Sequence, residues 1–190
     1  MMTNRHLPII LAAISLAAAS LACQIDVGGP PPPAQPVTPA ADPGAGLEQA
    51  WQSAVEGAGA TGEVVIILDE AQLTGYLNQY LAKQQDPIFS DPQVILRDGR
   101  LRIQGTIQQG VLKAGLLVTI VPEVDPQGGI AFRIESAELG PAPAPDAVKE
   151  SISAILTEVL SGPLGSLATG VRVTSLAVDE GQIAIVGELR

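Results

Sequence analysis

The sequence is 190 residues long and sets ten Lys and Arg against twenty Asp and Glu, a formal net charge of −10 that disfavours nucleic-acid backbones and anionic headgroups as electrostatic partners. Hydrophobic residues make up 46% of the chain but aromatic residues only 3%, too few rings for the stacking on which carbohydrate and nucleobase sites rely. The single histidine, His6, and the single cysteine, Cys23, both lie near the N-terminus, so the remainder holds no His- or Cys-based zinc site, no Ser-His-Asp or Cys-His catalytic pair and no internal disulfide.

A short polar stretch with Arg5 and His6 precedes an apolar run from Leu7 to Leu21. The run is shorter than the roughly 20 apolar residues a membrane-spanning helix needs, and small residues follow it instead of basic ones. Residues 1–22 therefore read as a cleaved signal peptide. The stretch Ser20-Leu21-Ala22-Cys23 resembles the bacterial lipobox. That resemblance implies that the Cys23 thiol takes a diacylglycerol as a stable thioether. Cys23 then becomes the first residue of a lipoprotein anchored to a bacterial membrane outside the cytoplasm.

Residues 23–46 are dominated by Pro, Gly and Ala, with Pro30 to Pro33 consecutive. Such a composition buries little apolar surface and is expected to form a disordered tether, extended by about 3.1 Å per residue where it is polyproline-like. Residues 47–190 are expected to form a single domain. Leu47 to Ala58 suggests a helix, weakened by Gly57 and Gly59. Glu63 to Leu68 reads as a buried strand, and Asp69 with Gln72 forms a capping box for a helix to about Gln84. Its stripe is Leu73, Tyr76, Leu77, Tyr80 and Leu81.

Beyond Pro87 and Pro92 the period changes from helical to strand. Leu101, Ile103, Gly105 and Ile107 alternate with Arg100, Arg102, Gln104 and Thr106, and Asp98-Gly99 predicts a tight hairpin after Val94–Arg97. Strands are expected over about 111–121 and 130–138, turning through residues 126–129. Asp146 caps a second helix to about Ser161, striped by Val148, Ile152, Ile155, Leu156, Val159 and Leu160 and stopped by Gly162-Pro163. Two last strands, about 171–178 and 182–189, flank Asp179-Glu180-Gly181.

Residues 94–107 align without gaps on residues 176–189, matching Gly99 to Gly181 and Gly105 to Gly187. Each unit is a hairpin with a glycine inside its second strand, the mark of a bend or of a close backbone approach. The expected fold class is α+β: a strongly curved antiparallel sheet of about six strands wrapped around two amphipathic helices. The helix Leu73-Thr-Gly-Tyr-Leu-Asn-Gln-Tyr-Leu81, the Asp-Gly hairpins, the stretch Val121–Ile130 and the Pro-rich run Glu138–Pro145 together resemble the LmeA-like phospholipid-binding family, and secondarily the YpmS-like lipoproteins. The resemblance covers about residues 63–190. It implies a tubular lipid-binding fold with an apolar groove for acyl chains, although this chain adds a lipobox and lacks basic residues near the groove.

The expected function is a membrane-anchored lipoprotein that binds phospholipid acyl chains as carrier or sensor in envelope maintenance, without a cofactor. Leu73 and Leu77 on the first helix, Leu101 and Ile103, Val118 and Ile120, Phe132 and Ile134 on the strands, and Ile152 and Leu156 on the second helix are the candidate groove residues. The alternative is a tethered protein-interaction module that engages an envelope partner through an acidic face or an open sheet edge. Glu135 with Glu138 and Asp179 with Glu180 are the carboxylate pairs that suggest glycosidase chemistry, and their positions on strands and turns favour solvated acids over catalysts.

Overall fold

A computed structural model describes residues 25–59, 61–154, 158 and 171–189; the expected signal peptide, Cys23, Leu156 and the expected end of the second helix near Ser161 lie outside the described residues. The described chain is α+β, with three helices and mostly antiparallel pairing. In chain order the elements are β1 (Ile25–Asp26), α1 (Pro43–Ala58), β2 (Glu63–Asp69), α2 (Glu70–Ala82), β3 (Phe89–Arg97), β4 (Arg100–Gln109), β5 (Leu112–Val124), β6 (Ile130–Leu139) and β7 (Ala142–Pro143). Helix α3 (residues 146–154), β8 (Val171–Asp179) and β9 (Gln182–Leu189) follow.

The strands form two sheets, where one was expected. The first runs β3-β4-β5-β6-β7 with β1 joined to β5, and the second runs β2-β9-β8. One apolar core serves both, with Val64, Ile66 and Leu68 of β2, Leu96 of β3, Val118 and Ile120 of β5, and Ile183 and Ile185 of β9 among its members.

Local chemistry explains the ends of the elements. Helix α1 starts at Pro43, not Leu47, because Asp42 caps it by accepting from the Ala45 N–H at 3.0 Å and Pro43 supplies a preset φ at the first turn. The capping box of α2 forms as expected: Asp69 accepts from Gln72 N at 2.7 Å, and the Gln72 side chain accepts from Asp69 N at 3.0 Å. Strand β3 begins well before Val94 and runs through Pro92. A strand tolerates proline at an edge or a bulge, and Pro92 has both, since β3 is an edge strand whose register shifts between Ser90 and Gln93.

The two similar hairpins share more than their turns. At Asp98-Gly99 both φ angles are positive, 54° and 73°, as a type I′ turn requires, whereas in the second hairpin only Gly181 is positive, at 81°. In each hairpin the strand glycine faces a bulge in its partner: Gly105 faces the shift between Ser90 and Gln93, and Gly187 the shift between Val173 and Ser175. A methyl group at 105 would run into the Phe89 ring and sit 2.8 Å from the Ser90 carbonyl oxygen, and one at 187 would meet Val171 and the Arg172 carbonyl oxygen. The glycines mark close approach, as their placement in the repeat predicts.

The Pro-rich segment differs from the free tether expected of it. Beyond Leu116 the flank of β5 belongs to β6, but residues 112–115 project past it, and β1 pairs there in parallel, Ile25 with Leu112 and Asp26 with Lys113. Gly28 O then accepts from Gly115 N, the Val37 N–H donates to the Gln93 side chain at 2.6 Å, and the Ala40 N–H donates to Ala71 O. Composition alone excludes a core but not this mode of docking, which uses backbone hydrogen bonds on an unfilled strand edge.

Candidate functional site

The inner face of the first sheet is built by alternation. Register pairs Leu101 with Ile120, Ile103 with Val118, Gly105 with Leu116 and Ile107 with Ala114, so large side chains give way to small ones toward the β4–β5 turn. Where they give way, a cavity of about 350 Å³ opens between this face, α2 and α3. Leu77 enters it from α2, Phe89 from β3, Ile103 and Ile107 from β4, Leu116 and Val118 from β5, and Leu139 from β6. Helix α3 closes it with Ala147, Val148, Ser151 and Ile152, and Ile88 stands at the start of β3. Among the described residues no ionisable side chain lines the space, and the Ser151 hydroxyl is the polar side-chain group. Its volume lies within the range of roughly 300–1,000 Å³ usual for small-ligand pockets.

Two neighbouring arrangements hold the walls. Phe89 occupies the space that Gly105 leaves open, which sets its ring as a wall of the cavity. The Glu158 carboxylate, near the Tyr80 hydroxyl of α2, raises the Tyr80 pKa, and desolvation adds to the shift. Residue 158 is itself helical, so α2 comes near the chain beyond α3 at this point.

Of the candidate groove residues, Leu77, Ile103, Val118 and Ile152 come together around the cavity. Leu73, Leu101 and Ile120 do not border it and pack within the core. Phe132 and Ile134 pack against that core, because β6 sets them opposite Pro122 and Ile120, past the level at which the cavity opens. Ile134 instead borders an open polar cleft on the other side of α3, with Glu135, Asp146 and Lys149. Leu156 and the anchor residue Cys23 fall outside the described residues. Ile107 and Leu116 extend alternating rows already legible in the sequence, and Val148 stands on the helical stripe. Ile88 and Phe89, between two prolines, carry no periodic signal.

Neither a family model nor a curated protein matches this chain. Its reading rests on its own geometry. Glu135 is held by Arg100 in a two-pronged ion pair, at 2.6 and 3.2 Å, which lowers the carboxyl pKa and raises that of the guanidinium. Asp179 accepts from the Glu180 N–H at 2.8 Å, closing its own turn. Among the described residues no three His, Cys, Asp or Glu side chains gather as a metal site requires, and no helix is long and apolar enough to cross a membrane.

The edge strand β3 is not open along the length beside α2. The buried Thr74 hydroxyl accepts from Val94 N at 3.0 Å, and the Glu70 carboxylate accepts from Leu96 N at 2.8 Å and pairs with Arg97 at 2.6 Å. Helix α2 thus occupies the backbone positions that a partner strand would need.

Proposed function

We propose that this chain is an exported lipoprotein, anchored through Cys23, whose folded part shields an acyl chain of a phospholipid in the cavity between α2, β3–β6 and α3. It acts as a carrier or sensor in the envelope and not as an enzyme. The observation that carries this reading is the partly open space of about 350 Å³, lined among the described residues by aliphatic side chains and Phe89 with one hydroxyl at Ser151. Burial of each methylene contributes about 0.8 kcal/mol, so such a cavity retains a chain without a charged contact. The LmeA-like pattern of residues 63–190 points to the same ligand class. The acidic chain offers little to an anionic headgroup, so selectivity lies in the chain and not in the head.

Native mass spectrometry with lipid extraction, on the chain from residue 23 onward, tests this. Phospholipid or fatty acid bound in stoichiometric amount is expected. Val148→Asp and Ile152→Asp on α3 should abolish it while circular dichroism stays unchanged. Leu101→Asp is unsuitable because that side chain is 2% exposed in the core and its replacement tests folding. A folded chain that arrives empty and takes up no added phospholipid sinks the reading.

A protein-interaction module is the second reading, favoured by a different surface. Val65 and Ile67 stand 44% and 50% exposed on the outer face of β2, in register with Val186 and Ala184 of β9. Cross-linking in cells through position 67 that captures one defined envelope protein, from a chain that holds no lipid, would select it.

A further inference from the structure

The inner apolar face does not end where the helices stop covering it. The row Ile120, Val118, Leu116 continues through Ala114 to Leu112, which is 48% exposed. Ile25 lies beside Leu112 in the parallel pair and is 55% exposed, and Val27, two residues on, is 46% exposed. Val111 at the β4–β5 turn is 58% exposed and Ile88 is 50% exposed. The Gln108 N–H donates to Ile88 O and the Ile25 N–H to Val111 O, so these residues share one end of the molecule.

This end is continuous with the cavity. Ile88 belongs both to the exposed group and to the cavity lining. Val27 lies at ordinary contact distance from the position a side chain would take at Gly140, next to the cavity residue Leu139. The charges in register here, Asp26 and Lys113, are opposite in sign.

We propose that this end, formed by the β4–β5 turn, β1 and Ile88, docks on the surface of a lipid bilayer and turns the cavity toward it. The choice of a bilayer over a protein partner rests on the reading of Cys23 as acylated: Ile25 is two residues from Cys23, so the anchor delivers this end, and no other described element, to the membrane. The diacylglyceryl group on Cys23 carries two acyl chains and already holds the chain at the membrane, and a second apolar contact at this end fixes the orientation of the folded part. With Asp26 and Lys113 balanced, docking uses apolar burial and does not require anionic lipid.

The test couples Cys23, in the chain from residue 23 onward that holds every described element, to a maleimide-bearing lipid in phosphatidylcholine vesicles. One tryptophan is placed at the turn (Val111→Trp with Trp51→Phe) or, as control, on the exposed outer face of β9's neighbour β8 (Ala177→Trp with Trp51→Phe). The emission from position 111 is expected to shift to shorter wavelength and to be quenched by brominated phosphatidylcholine, in high salt as in low, with position 177 unaffected. Absence of quenching at 111, or equal quenching at both positions, overturns the proposal. So does a concentration-dependent shift at 111 without vesicles, which would assign the patch to a second copy of the chain. Uptake of a fluorescent fatty acid by the same proteins in solution reads the cavity separately. Quenching without uptake retains the docking surface and removes the ligand, and uptake without quenching does the reverse.

Discussion

Thr74 is fully buried, and its hydroxyl is the partner of the Val94 N–H at the edge of the first sheet. Thr74→Val keeps the volume and leaves that donor unpaired, so a loss of about 1–3 kcal/mol is expected in urea denaturation, with Thr74→Ser close to the parent. Gly105→Ala forces the Phe89 ring from its seat. Overpacking of this kind costs about 1–3 kcal/mol, and here it should also weaken fatty-acid uptake because Phe89 is a cavity wall. The glycine's position was legible in the sequence as a likeness between two hairpins; what it makes room for was not, since Phe89 is sixteen residues away across a strand pair. Glu135 shows the same division. Its carboxyl loses its proton more readily in the folded chain than in the unfolded one because Arg100 faces it. The pair therefore stabilises the fold above the ordinary glutamate pKa, and that contribution disappears as pH falls through the lower folded value. Glu135→Gln should lower the urea midpoint slightly at neutral pH, with the two proteins converging as pH falls through the lowered folded pKa of Glu135.

At the scale of elements, the local signals carried furthest. The capping box at Asp69 and Gln72 and the Asp98-Gly99 turn are decided by residues within one turn of each other, so they were readable without knowledge of the fold. Strand partners were not, because pairing β2 with β9 joins residues more than a hundred positions apart and no periodicity encodes it. The approach of the Glu158 carboxylate to Tyr80 is a contact of that kind. Tyr80→Phe removes it and should speed release of a bound fluorescent fatty acid in stopped-flow displacement, with little change in the urea midpoint. The α2 cover on β3 makes a second prediction. Thr74→Val combined with Glu70→Ala frees the N–H groups of Val94 and Leu96 on one edge. Light scattering after gel filtration should then detect edge-to-edge association that the parent does not show.

For the whole molecule, the Pro-rich segment is the main departure from the sequence reading. Gly29 and Gly115 meet backbone to backbone, and a side chain at 29 would lie 2.8 Å from Gly115 Cα. Gly115→Val should lift the segment from the sheet, and cleavage within residues 25–42 in limited proteolysis should quicken while the core remains resistant. The sequence by itself determined the α+β class, the capping box at Asp69, the tight turn and the apolar rows, because each depends on near neighbours or on a period along one element. Only the tertiary structure decided that the strands divide between two sheets and that the Pro-rich run docks on β5. It also decided which apolar residues fill the core and which surround a cavity. Leu101 and Ile103 are alike in type and period, but Ile103 faces Val118 beside the small residues Gly105 and Ala114, whereas Leu101 faces Ile120 in full packing. A void is a property of how neighbouring elements fail to fill space together, and alternation along a single strand does not record it.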